Sequence, residues 1–91
     1  MTSRRVSVLG STGSVGVSTL TLLDEAVRAG EAEVRIEALV AGRNAALLAE
    51  QARRWRPGVT VIADEAAHAE LTERLAGEGL ATAAGRTAVI E

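Results

Sequence analysis

Three glycines, Gly10, Gly13 and Gly16, stand three residues apart behind the short apolar run Val6-Ser7-Val8-Leu9. Residues of this type and spacing suit the holding of phosphate. Gly10 lets the chain turn sharply as it leaves a strand. Gly13 removes a side chain where the backbone must approach a pyrophosphate, and Gly16 lets a following helix lie close on the sheet. A helix starting here offers unpaired N–H groups and the positive end of its dipole to an anion. Ser11, Thr12 and Ser14 add hydroxyl donors. The common dinucleotide fingerprint is G-x-G-x-x-G. This one is G-x-x-G-x-x-G, with Thr12 where the common pattern has its second glycine. A purely structural strand-to-helix turn could use the same glycines. The strand before them and the amphipathic helix after them favour nucleotide binding.

A second group sits at Gly42-Arg43-Asn44, after another apolar run. NAD-specific sites usually place Asp or Glu at the end of the second strand, to hold the adenine ribose hydroxyls. This sequence has Ala41 and Gly42 there, and Glu37 is too far back along the strand. A carboxylate would repel a 2′-phosphate, whereas a guanidinium pairs with it. Gly42 leaves room for the ribose. Arg43 therefore favours NADP over NAD, set against the plain alternative of a solvated loop arginine.

These residues need a frame to hold them. Residues 6–9 read as a buried strand, β-branched and short. Residues 14–29 follow as a helix, with Gly16, Leu20, Leu23 and Val27 as its inward stripe and Gly30 as its stop. Residues 34–41 form a second strand. It alternates at first, with Val34, Ile36 and Ala38 against Arg35 and Glu37, then runs apolar as in a covered parallel sheet. Asn44 caps a second helix whose inward stripe is Ala45, Leu48, Ala52 and Trp55. Arg53, Arg54 and Arg56 read as its solvated end, and Pro57-Gly58 terminates it. Residues 59–63 are a third strand. Asp64 caps a third helix over 65–76, with Ala67, Leu71 and Leu75 inward. His68, the only histidine, reads as a surface or packing residue. Residues 80–84 are a short strand or an extended connection, and 85–91 begin another helix.

The order β-α-β-α-β-α with right-handed crossovers predicts a Rossmann-like, doubly wound parallel sheet, with strands ordered 3-2-1 and helices on both faces. The first strand carries the binding loop, yet it would be an edge. A complete fold of this kind pairs a further strand on its free side. The 91 residues are therefore expected to be the incomplete N-terminal domain of a longer protein.

Composition narrows the classes. The hydrophobic fraction is 47%, much of it Ala, and Trp55 is the only aromatic residue. A net charge of −2 gives no electrostatic case for nucleic acid or an anionic membrane. With no Cys, the chain can hold neither a disulfide nor a cysteine nucleophile or metal site. No apolar stretch has the length of a membrane span, and the N-terminal run is too short for a signal peptide. The expectation is a soluble, cytoplasmic protein.

The motif Gly10-Ser11-Thr12-Gly13-Ser14-Val15-Gly16, followed by Ser18-Thr19-Leu20, resembles the opening of the 1-deoxy-D-xylulose 5-phosphate reductoisomerase family. That family typically has Ile where this chain has Val15. Its second strand typically ends as Ala38-Leu39-Val40-Ala41-Gly42-Arg43-Asn44 does here, with Lys frequent at the position of Arg43. Pro57 before the third strand and Asp64-Glu65 after it also match. The resemblance covers nearly the whole chain. It implies that Thr12, Gly13, Ser14 and Val15 contact the NADPH pyrophosphate and nearby groups, and that Gly42, Arg43 and Asn44 surround the adenosine 2′-phosphate. It further implies an oxidoreductase of the non-mevalonate route to isoprenoids. Such an enzyme rearranges and reduces a sugar phosphate, 1-deoxy-D-xylulose 5-phosphate, to 2-C-methyl-D-erythritol 4-phosphate. A divalent metal, Mg²⁺ or Mn²⁺, and a homodimeric full-length enzyme are implied too. The family's metal ligands and substrate residues follow its N-terminal domain, so no catalytic or metal residue is assigned here, and the 91 residues alone are expected to be inactive. Two other readings stand beside it. One is another NADP-dependent reductase such as aspartate-semialdehyde dehydrogenase, against which Ser11, Ser14 and the Gly42-Arg43-Asn44 turn count. The other is a non-catalytic nucleotide-sensing Rossmann module.

Overall fold

The computed structural model describes residues 2–85. They form β1 (Thr2–Leu9), α1 (Ser14–Arg28), β2 (Ala32–Ala41), α2 (Ala45–Trp55), β3 (Val59–Ile62), α3 (Glu65–Arg74) and β4 (Thr82–Ala84). The four strands make one parallel sheet in the order β1-β2-β3-β4. The expected 3-2-1 order is present, and β4 extends it beyond β3. Among the described residues β1 is an edge strand, as expected. Of the helix expected over 85–91, residues 86–91 lie outside the described residues.

One feature of the doubly wound expectation is corrected. Each step from strand to strand runs in the same direction, and right-handed crossovers then lay every connecting helix on one face. The core shows this. Leu20 of α1, Leu48, Ala49 and Ala52 of α2, and Leu71 of α3 join a single cluster with Val8, Ile36, Leu39, Ala41 and Ile62 of the sheet. An ion pair between Asp24 and Arg54 links α1 to α2 directly. The described helices therefore cover one face, not both. The opposite face carries the row Leu9, Val40, Val61 and Ala83, paired strand to strand.

Ala45, Ala49 and Ala52 are essentially buried, so α2 presents small side chains where it approaches the sheet. Leu39, Leu48, Ile62 and Leu71 fill the space between, each contributing about 1.5–3 kcal/mol from burial. β1 and β2 begin earlier than hydrophobicity indicates. Ser3, Arg4 and Arg5 pair with Glu33, Val34 and Arg35 through main-chain bonds that need no apolar side chain. The register then slips between Val6 and Ser7, which face Ile36 and Ala38, so Glu37 is an extra residue on β2. Such a bulge moves the inward positions by one. Val34 and Ile36 face the helices before it, Leu39 and Ala41 after it, and Ala38 is turned away from the core. Gly58 fits beside the bulge: a Cβ there would stand 2.9 Å from the Glu37 carbonyl oxygen.

The arginine-rich end of α2 is exposed but tied down. Arg54 pairs with Asp24, and Arg53 and Arg56 pair with Glu78 beyond α3. The hydrogen bond from Arg54, with a second from Arg28, holds the Asp24 carboxyl below the usual carboxylate range. His68 Nε2 lies 3.2 Å from Thr82 Oγ1 and so joins α3 to β4; of the surface and packing roles expected of it, the contact is a packing one.

Candidate functional site

The loop after β1 takes its shape from its glycines. Gly10 has φ +66°, in the left-handed region that a side chain disfavours. The Gly13 N–H donates to the Gly10 carbonyl at 3.0 Å and closes a turn over residues 10–13. α1 then starts at Ser14, with Gly13 as an N-cap that supplies no side-chain acceptor. As a result, the N–H groups of Thr12, Ser14, Val15 and Gly16 have no acceptor among the described residues. The first turn of α1 holds no acidic side chain. Four free donors at the positive end of a 15-residue helix make a surface selective for an anion.

Gly13 and Gly16 differ in what they accommodate. A Cβ on Gly16 would sit 2.2 Å from the Gly10 oxygen and 2.6 Å from Ser11 Cα, so α1 packs on the loop at a distance only glycine permits. A Cβ on Gly13 would meet only the Gly10 oxygen, at 3.4 Å. Gly13 is exposed, and the space in front of it is open.

The loop is anchored to its neighbour. The Ser11 N–H donates to the Val40 carbonyl at 2.9 Å, and Leu9 is the ladder partner of Val40. Neighbouring strands lie about 4.8 Å apart, so the turns that follow β1 and β2 share one edge of the sheet. The β2 turn is Gly42-Arg43-Asn44. All three residues are exposed, and a Cβ on Gly42 would meet nothing within 4 Å. The Asp64 N–H donates to the Gly42 carbonyl at 2.8 Å and fixes the turn against the start of α3. The Arg43 guanidinium has neither an ion pair nor a hydrogen bond among the described residues. Asp64 is the acid nearest this turn along the main-chain ladder, but its carboxylate accepts the Ala66 N–H at 2.9 Å and is spent as the cap of α3. Glu37 is five residues before Gly42, about 16 Å back at ~3.3 Å per strand residue.

Thus Thr12, Gly13, Ser14, Val15, Gly42, Arg43 and Asn44 are brought to one edge of the sheet. Val15 is 78% exposed beside the free amides. Asn44 is already engaged: its Oδ1 accepts the Leu47 N–H at 3.2 Å and caps α2. Asn44→Ala should destabilise the fold by about 1 kcal/mol, read from denaturant unfolding. An unchanged midpoint would show that the cap carries no stability.

Ser11 departs from expectation, and Gln51 adds a contact that was not expected. Ser11 is fully buried with its hydroxyl unpartnered among the described residues, so it faces inward, away from the exposed amides. Only Thr12 and Ser14 present hydroxyls outside. Gln51 went unnoticed in the sequence, yet its Nε2 donates to the Ser11 carbonyl at 2.8 Å from 40 residues away. The signal was available: a polar residue sits within the Leu48–Ala52–Trp55 stripe. A groove of about 350 Å³ between α1 and α2 is lined by Leu20, Asp24, Arg54 and Trp55 among others, and none of the seven edge residues lines it. No group of three His, Cys, Asp or Glu side chains among the described residues could hold a metal ion. No helix among them is long and apolar enough to cross a membrane.

A parallel sheet with crossover helices, whose first strand leads through a glycine turn into a helix with free amides, defines the Rossmann-like α/β class. More narrowly, the chain belongs to the 1-deoxy-D-xylulose 5-phosphate reductoisomerase family, whose pattern matches residues 6–91. This sets aside the aspartate-semialdehyde dehydrogenase alternative. The 1-deoxy-D-xylulose 5-phosphate reductoisomerase of Gluconobacter oxydans is 59% identical over 90 residues, which are 99% of this chain and 21% of that protein. The Zymomonas mobilis reductoisomerase, solved in complex with NADPH, superposes with a TM-score of 0.86 at 40% identity over 96% of this chain and 22% of that one. A reductoisomerase solved with magnesium superposes at 0.81 with 26% identity, over 97% of this chain and 21% of that one. The chain thus spans about a fifth of the length of the curated relatives it matches.

Proposed function

We infer that these residues are the NADPH-binding part of a 1-deoxy-D-xylulose 5-phosphate reductoisomerase. The observation that carries the reading is the pairing, on one sheet edge, of four free amide donors with an arginine that has no carboxylate partner among the described residues. The free amides of Thr12, Ser14, Val15 and Gly16 suit a pyrophosphate, and the open space before Gly13 admits it. Arg43 suits a 2′-phosphate, with Gly42 leaving room for the ribose and Asn44 shaping the turn. When bound, NADPH would supply a hydride to the aldehyde formed by rearrangement of the keto sugar phosphate.

Everything this chain does in that reaction is positioning. The loop fixes the pyrophosphate by main-chain donors set before the ligand arrives, which lowers the ordering cost of binding. The exposed Val15 offers an apolar surface beside it. On this reading the substrate region and the ligands for Mg²⁺ or Mn²⁺ belong to a longer protein, which acts as a cytoplasmic homodimer. The 91 residues alone hold cofactor without turning over substrate.

A graft tests this. Residues 1–91 replace the matching segment of the Gluconobacter oxydans reductoisomerase. The chimera should bind NADPH and reduce 1-deoxy-D-xylulose 5-phosphate with it. A folded chimera that binds no NADPH in a fluorescence titration would remove the reading.

A further inference from the structure

We propose that Gln51 is a positioning residue for the phosphate loop: from α2 it holds the Ser11 peptide in the one orientation that turns the Thr12 N–H outward to the cofactor. The proposal rests on the NADPH reading above.

The geometry is local and specific. Ser11 is held on both sides. Its N–H donates to the Val40 carbonyl at 2.9 Å, and its own carbonyl accepts Gln51 Nε2 at 2.8 Å. In a trans peptide the C=O and the following N–H point in opposite directions. Fixing the Ser11 carbonyl toward α2 therefore fixes the Thr12 N–H away from α2. That N–H has no acceptor among the described residues. It precedes the free amides of Ser14, Val15 and Gly16, so the peptide held by Gln51 decides whether the donor set is four or three.

The peptide between Ser11 and Thr12 is the central one of a turn, and Gln51 is the side chain that holds it from outside the loop. The Gly13 N–H bonds to Gly10, which closes the turn across residues 11 and 12 without fixing the plane between them. Flipping its central peptide interchanges the type I and type II forms and would carry Thr12 to positive φ, which its branched side chain already disfavours. The Gln51 bond adds to that resistance from α2. Its cost is visible: Gln51 Oε1 is buried with no hydrogen-bond partner among the described residues. A polar residue on an inward stripe, with one end unsatisfied, is unfavourable for folding alone. Its other end meets the phosphate loop and nothing else.

The test uses the full-length protein carrying these residues. Gln51→Met keeps the length and removes the donor. Gln51→Glu keeps the shape, and ionised it cannot donate. Dissociation constants are measured for NADPH, NADH and adenosine 2′-monophosphate, which reaches the Arg43 turn without a pyrophosphate. Gln51→Met should weaken NADPH and NADH by the same factor, about three- to tenfold, as expected for loss of one neutral hydrogen bond. Adenosine 2′-monophosphate should bind as before, which also shows that the variant is folded. Gln51→Glu, ionised at pH 8, should weaken both dinucleotides there at least as much as Gln51→Met. A Gln51→Met protein that binds NADPH like wild type overturns the proposal, as does one that loses adenosine 2′-monophosphate by the same factor. A wild-type protein that binds neither dinucleotide overturns the cofactor reading itself, and the proposal with it.

Discussion

Gly16→Ala should cost both stability and cofactor affinity, and Gly13→Val should cost mainly affinity. The contrast follows from what surrounds each Cβ. At residue 16 the added carbon would fall 2.2 Å from the Gly10 oxygen, 2.6 Å from Ser11 Cα and 2.9 Å from the Gly10 carbon. All three are main-chain atoms, which cannot rotate aside as a side chain would. Either α1 lifts off the loop or the turn over residues 10–13 opens. Overpacking of this kind costs about 1–3 kcal/mol, and backbone contacts this short put the expected value near 3 kcal/mol. The donors at Thr12, Ser14 and Val15 move with the loop. Losing two charge-assisted hydrogen bonds, at about 1.5–3 kcal/mol each, weakens a dinucleotide by a hundredfold or more. At residue 13 the backbone has φ −78°, which any residue adopts, and the Cβ contact is an ordinary 3.4 Å. Valine there costs only what a poor N-cap residue costs, about 1 kcal/mol, and fills the open space before the amides. Thermal unfolding paired with cofactor titration on both variants checks this. Equal stability loss at the two positions would mean that Gly13 is a packing glycine like Gly16.

The glycine loop was legible because three separate demands fall on glycine there: a positive φ, an open approach and a close helix contact. Glycine meets all three, so residue identity carried much of the geometry. The caps at Asn44 and Asp64 were legible for a similar reason, since a short polar side chain at a helix start has one favoured use. The bulge at Glu37 was not. A one-residue slip leaves the apolar pattern nearly unchanged, because Ala38 is tolerated on either face. The sidedness of the helices follows from strand order; two covered faces belong to the complete fold, in which the two halves wind in opposite directions. Ser11 and Gln51 were missed because their roles depend on each other. A buried serine in a phosphate loop and a glutamine on an apolar stripe each look like ordinary exceptions until the hydrogen bond across 40 residues joins them.

Arg43→Ala in the full-length protein should weaken NADPH by about ten- to hundredfold and leave NADH nearly unchanged. The two cofactors differ only in the 2′-phosphate. Within the described residues Arg43 is exposed, carries no ion pair and follows directly on Gly42, whose open surroundings leave space for a ribose. Its positive charge is not already committed, so a phosphate need not displace a carboxylate to reach it. A charge-assisted contact contributes about 1.5–3 kcal/mol, which sets the expected factor. Asp64 limits the upper end, since its carboxylate caps α3 next to the Gly42 turn and bears the same sign as a phosphate. The effect should shrink as salt rises, because an exposed pair is screened within about 8 Å at physiological ionic strength. Arg43→Lys separates charge from geometry: a lysine retains attraction as a point charge but loses the forked contact. It should fall between wild type and Arg43→Ala for NADPH. The measurement is a pair of titrations, NADPH and NADH, at two salt concentrations for each variant. If Arg43→Ala weakens both cofactors equally, Arg43 acts as a general electrostatic or structural residue, and preference for the 2′-phosphate must come from elsewhere in the longer protein.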